Sequence, residues 1–159
     1  MTKEVKQQFT LRITQANSTE LVVILYEMAL TFLQEARDAG QKQEWIEYKE
    51  AIRKTRGCVN ELMQSLHFEY EPAKNLYKLY MFCIRRLAYA DVRREVKVLD
   101  EIESVLVKLK DAYAQIAPNN TSAPVMSNAQ TVYSGLTYGK SAVLAEDVTS
   151  QSSNRGMLV

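Results

Sequence analysis

Gly139-Lys140-Ser141, inside the stretch YSGLTYGKSA at 133–142, is where this sequence comes nearest to a recognisable chemical motif, the end of a phosphate-binding loop. Such a loop requires G-x-x-x-x-G-K-[ST] between a buried strand and a helix N-terminus, because strand, loop and helix dipole together aim backbone N–H groups at phosphate oxygens. Ser134 stands where the first glycine belongs, and Gly135 is one residue too close. The preceding NAQTV is too short and too polar for a buried parallel strand. The match is therefore accidental. What is left is a short apolar patch, Val132, Tyr133, Leu136 and Tyr138, which is either a docking segment or meaningless.

Other catalytic chemistry is scarce. His67 is the single histidine, placed in a turn with no second His or Cys at metal-ligand spacing, which predicts a capping or solvent role. Asp100, Glu101 and Glu103 fall on the polar side of a helical pattern, and no Glu-x-x-His pair supports a di-iron bundle. Cys58 and Cys83 read as buried free thiols. No enzyme, metal or cofactor is expected. Twenty basic and 19 acidic residues leave a net charge of +1 with the signs interleaved, and Arg85, Arg86, Arg93 and Arg94 read as solvated helix ends, so no nucleic-acid partner is expected. The longest apolar runs, such as LVVILY at 21–26, are far short of a membrane span, and MTKEVKQQFTLR has no apolar core of the secretory kind. Both predict a cytoplasmic protein without membrane insertion.

At 159 residues, 47% apolar and 25% charged, the chain has the composition of one ordinary globular domain. From 17 to 117 its apolar period is helical almost throughout. Asn17 followed three residues later by Glu20 forms a capping box, and Gly40 is placed to end that first segment in a left-handed cap. Its core row is Leu21, Leu25, Met28, Phe32 and Ala36. A second segment, 43–66, buries Trp45, Tyr48, Ile52, Val59, Leu62, Met63 and Leu66 despite Gly57. A third opens with Pro72 in its first turn and carries Leu76, Leu79, Tyr80, Cys83 and Leu87. The fourth carries Leu99, Ile102, Leu106, Leu109, Tyr113 and Ile116. Equal helices joined by short loops predict an all-α, antiparallel up-down four-helix bundle at 17–117. Residues 1–16 are predicted as an N-terminal cap segment, in which Phe9, Leu11 and Ile13 alternate with polar residues out of phase with a helix. Residues 118–159, rich in Pro, Asn and Gly, are predicted as a flexible tail.

The anomaly is surplus apolar surface. The third segment carries a second row, Tyr77, Met81, Ile84 and Ala88, which widens its apolar arc to about 200° where a bundle helix needs a stripe somewhat over about 100°. The first segment does the same with Val23, Tyr26, Leu30 and Leu33. Either these two helices are more deeply buried or pair in a dimer, or the rows line a groove for a partner helix.

QANSTELVVILYEMALTFLQEA (15–36) resembles the opening of the flagellin-specific export chaperones, the FliS family. FEYEPAKNLYKLYMFCIRRLAYADVRREVKVLDEIESVLVKLKDAY (68–113) resembles that family's Leu-Tyr-x-Leu-Tyr helix, its Arg-Arg-Leu turn and its LDEV helix. The resemblance covers about residues 9–117. It implies a cytosolic helical bundle that binds the disordered C-terminal region of flagellin, prevents its polymerisation and hands it to the flagellar type III export gate. Val23, Tyr26, Leu30, Leu33, Tyr77, Met81 and Ile84 are then the expected client contacts. The family's N-terminal segment implies a displaceable cap, here Phe9, Leu11 and Ile13, over part of the groove. Without client, the uncovered groove would favour a homodimer. The alternative is a generic helical adaptor or dimerisation module with no flagellar role.

Overall fold

The structure, a computed structural model, describes residues 1–126; Val132, Tyr133, Leu136, Tyr138 and the Gly139-Lys140-Ser141 triplet lie outside the described residues. The described chain is all-α, with helices α1 (Lys3–Gln15), α2 (Ser18–Gln41), α3 (Trp45–Gln64), α4 (Glu71–Arg93) and α5 (Val98–Ile116), followed by a 3-10 turn at Ala117–Asn119. The four long helices pack in cyclic order: α2 against α3 and α5, and α4 against α3 and α5. Contacts between opposite ends show that neighbours run antiparallel. Arg37 near the end of α2 bridges Asp100 (2.9 Å) and Glu103 (2.6 Å) at the start of α5. The Tyr48 hydroxyl at the start of α3 donates to the Ala90 carbonyl near the end of α4 at 3.0 Å.

The helix ends follow from local chemistry. The Asn17 side chain accepts from the N–H groups of Thr19 and Glu20 at 3.1 and 2.9 Å, and Glu20 accepts from the Asn17 N–H at 2.9 Å, so the expected capping box is present. Pro72 stands in the first turn of α4, as expected. Gly40 does not end α2. The helix continues to Gln41, and the left-handed residue is Gln43 (φ 61°), with the Glu44 N–H reaching back to the Ala39 carbonyl at 2.9 Å. Gly40 is required for space instead: a Cβ there would lie 2.5 Å from Val96 Cγ2 and 3.1 Å from the Tyr48 ring.

Residues 3–15 depart from the alternating cap segment. They form a helix capped by Thr2, whose side chain accepts from the Val5 N–H at 3.4 Å. Val5, Phe9 and Ile13 recur every four residues and press on Leu21, Ile24 and Met28 of α2, while Leu11 lies off that stripe at 59% exposure. Phe9 and Leu11 suggest period two, but the i, i+4 stripe decides because α2 offers an apolar face to bury it. Arg12 adds an ion pair to Glu27 of α2.

The main core joins Ala29, Leu33 and Ala36 of α2 to Val59 and Leu62 of α3, Cys83 and Leu87 of α4, and Leu99, Ile102 and Leu106 of α5. Both cysteines are free and buried, as expected, and burial pushes each thiol up to about 11. No helix among the described residues is long and apolar enough to cross a membrane.

Candidate binding groove

One end of the helix assembly is open. There the start of α2, the end of α3, the start of α4 and the end of α5 surround a groove of about 1120 Å³. Its walls are Leu21, Val22 and Leu25 from α2, Leu66 after α3, Leu76 and Leu79 from α4, and Leu109 and Ile116 from α5. Ser18, Thr19, Gln64, His67, Glu71 and Asn75 give the lining its polar members. Burying one large apolar side chain is worth about 1.5–3 kcal/mol, so a wall of this composition can hold an incoming apolar segment with no catalytic group at all.

The groove keeps its shape through a buried tyrosine cluster. Tyr80 and Tyr113 belong to the lining, and beneath them the Tyr26 ring lies 6.4 Å from Tyr80 and 5.8 Å from Tyr113 between centroids. The Tyr26 and Tyr80 hydroxyls are hydrogen-bonded, which satisfies both polar tips where water does not reach. Burial, with Tyr80 as neighbour, raises the Tyr26 hydroxyl far above its ordinary value, and burial pushes Tyr80 up to about 12. Both remain neutral at physiological pH. Exposed aromatic rings run from the groove's lining outward: Tyr70 belongs to the lining, and beyond it Phe68 meets Tyr77 edge-on at 5.7 Å, both facing solvent.

The two apolar rows of the sequence are redistributed by this geometry. Tyr26 and Leu33, expected on the partner-binding row, are core side chains and present no surface. Val23, Leu30, Met81 and Ile84 are half-buried, with Leu30 and Ile84 packed against the core, and Tyr77 is 40% exposed. Conversely Leu21, Leu25, Leu76, Leu79, Leu109 and Ile116, all expected as core, line the groove. A helical wheel gives the angle between two rows but not which row faces the assembly's axis, and it carries no information about one end opening. Leu79, a leucine of the predicted core row, is left in solvent at 37% exposure. The Phe9, Leu11 and Ile13 segment is not among the groove's lining; α1 covers Leu21, Ile24 and Met28 on the adjoining face of α2, and Leu21 alone belongs to both surfaces.

The described residues thus form an all-α scaffold with an apolar groove open at one end. The flagellar protein FliS family matches residues 1–120. The flagellar secretion chaperone FliSB of Pseudomonas aeruginosa is 30% identical over 108 residues, covering 67% of this chain and 86% of that protein. The flagellar secretion chaperone FliS of Salmonella typhimurium is 30% identical over 109 residues, 67% of this chain and 81% of that protein, and the one from Bacillus subtilis is 25% identical over 103 residues, 65% and 77%. The chain belongs to the FliS family.

Proposed function

We propose that this chain is a cytoplasmic flagellar secretion chaperone that takes the C-terminal region of flagellin into its groove, keeps it from polymerising and delivers it to the flagellar type III export apparatus. The groove carries the reading. A client that is disordered until it binds needs apolar surface to fold against, and here that surface is open in a chain whose family relatives are named as secretion chaperones. Val23, Leu30, Tyr77, Met81 and Ile84 are further client contacts, reached as the client winds along α2 and α4. In this reading α1 is the displaceable cap, with Phe9 and Ile13 covering Leu21, Ile24 and Met28 until client contact lifts it.

Calorimetry of the purified chain against a peptide of flagellin's C-terminal region tests this. Leu79→Asp places a charge on the groove wall at a partly exposed position, so the fold survives it. Binding is expected to weaken by at least about tenfold, corresponding to the lower end of the burial value for one leucine, with far-UV helicity unchanged. Wild-type affinity in Leu79→Asp sinks the groove as the client site.

A further inference from the structure

The described chain does not leave the helices at Pro118, where the flexible tail was expected to begin. After the 3-10 turn it folds back across the start of α2. The Asn120 carbonyl accepts from Asn17 Nδ2 at 3.0 Å, and Asn120 Nδ2 donates to Thr19 Oγ1 at 2.7 Å. Asn120 Oδ1 accepts from the Ser122 N–H at 3.0 Å, an Asx turn that redirects the backbone. The Val125 N–H then donates to the carbonyl of Ala16 at 3.0 Å, and the Val125 side chain takes a place in the groove's lining. The family match ends at residue 120, so residues 121–125 lie beyond it.

The strap's anchors, Ala16, Asn17 and Thr19, belong to the joint between α1 and α2. Ala16 closes α1 and is buried with Phe9 and Ile24. Asn17 is buried and has two tasks at once, since its oxygen caps α2 while its amide nitrogen holds the strap. Leu21, one turn on, is a wall of the groove and also packs under α1.

We infer that residues 120–125 are a built-in occupant of the groove's rim, which an entering segment must displace, and that displacing them unfastens α1. The first half rests on the groove being a binding site, as proposed above; the strap's hold on α1 does not. A few hydrogen bonds and a Val125 side chain that is 59% exposed hold the strap, so an apolar segment with several buried side chains outcompetes it. Once Val125 leaves, the Ala16 carbonyl loses a donor and α1 keeps only its narrow contact with α2. Occupancy of the groove and release of the N-terminal helix are then one event.

Two substitutions in the full-length chain separate the strap from helix capping. Asn17→Asp keeps a carboxylate oxygen where Oδ1 caps α2 but puts a second oxygen in place of the nitrogen that holds Asn120. Val125→Pro removes the N–H that reaches Ala16. Hydrogen exchange read by mass spectrometry is expected to show amides of residues 3–15 exchanging roughly fivefold faster in each, the equilibrium worth of one net hydrogen bond, with those of α3 and α5 unchanged. The apolar dye 8-anilinonaphthalene-1-sulfonate is expected to bind both variants more tightly than wild type by a similar factor. Unchanged exchange in α1 for Val125→Pro overturns the link to α1, whatever Asn17→Asp does to the cap. Unchanged dye affinity overturns the strap as occupant of the groove. If the flagellin peptide fails to bind wild type while both effects persist, the client assignment fails and the strap stands.

Discussion

The two ends of this helix assembly are made from the same four helices and behave oppositely. At the closed end small residues are buried among the helices: Ala36, Ala39 and Gly40 of α2, Ala51 of α3 and Ala90 of α4. Gly40 lies so near Val96 and Tyr48 that a methyl group has no room, and the Tyr48 hydroxyl finds its acceptor on α4. Arg37 adds ion pairs to α5 across the outside. At the open end the same helices present leucines and tyrosines, and these line a groove instead of meeting. Small residues let backbones approach; bulky ones that do not interdigitate leave space. The lesson is a division of labour: one end supplies stability, and the other keeps apolar surface available at a cost that the first end offsets.

That division is broken or sharpened most strongly by a matched pair of truncations. Leu99→Ala, in the fully buried core toward the closed end, is expected to cost about 2–5 kcal/mol, whereas Leu79→Ala on the groove wall is expected to cost under about 1 kcal/mol, because a side chain already partly in water leaves no closed cavity. Urea unfolding of both variants measures the difference. Comparable losses would mean that the open end is as much core as the closed one.

Glycine sharpens the comparison further. Gly40→Ala is expected to destabilise by about 1–3 kcal/mol through overpacking against Val96, although alanine is the better helix former. A Cβ at Gly57 meets nothing within 4 Å, so Gly57→Ala is expected to stabilise by about 0.5–1 kcal/mol. Thermal melts of opposite sign for the same substitution would confirm that close approach, not helix propensity, places Gly40.

Alkaline pH acts on both ends more gently. Cys58 and Cys83 are pushed up to about 11 from 9.0, and Tyr48 at the closed end and Tyr80 in the groove's lining to about 12 from 10.0, in each case chiefly by burial. Groups whose folded values lie above their unfolded ones stabilise fully below the unfolded values and lose that contribution as pH rises through the folded ones. Stability is therefore expected to be level up to about pH 9 and to fall between about pH 9 and 12, a slope read from denaturant midpoints.

Much of the fold was legible because its signals are local. The Asn17 and Glu20 capping box, Pro72 in the first turn of α4 and the long apolar rows each depend on residues within a few positions of one another. What was misread depended on an absent neighbour. The stripe Val5, Phe9 and Ile13 becomes helical by burying itself on α2, so the pair Phe9 and Leu11 was a misleading guide to residues 3–15. Tyr26 and Leu79 exchanged their expected places because a second apolar row is ambiguous until the helix is rotated into its neighbours. The hydrogen bond of Asn17 to Asn120 spans 103 positions, and nothing at either residue announces it.

By itself the sequence determined the all-α character of the described residues, the starts of α2 and α4, the two buried thiols, the surplus of apolar surface and the likeness to the FliS family, since each is written in residue type and short-range spacing. Only the tertiary structure decided which apolar row became core, that the surplus is gathered as a groove at one end, that Gly40 is a contact and not a cap, and that residues 120–125 tie the groove to α1. Those outcomes come from how four helices rotate and close against one another, and that is settled by side-chain volumes summed across all of them at once.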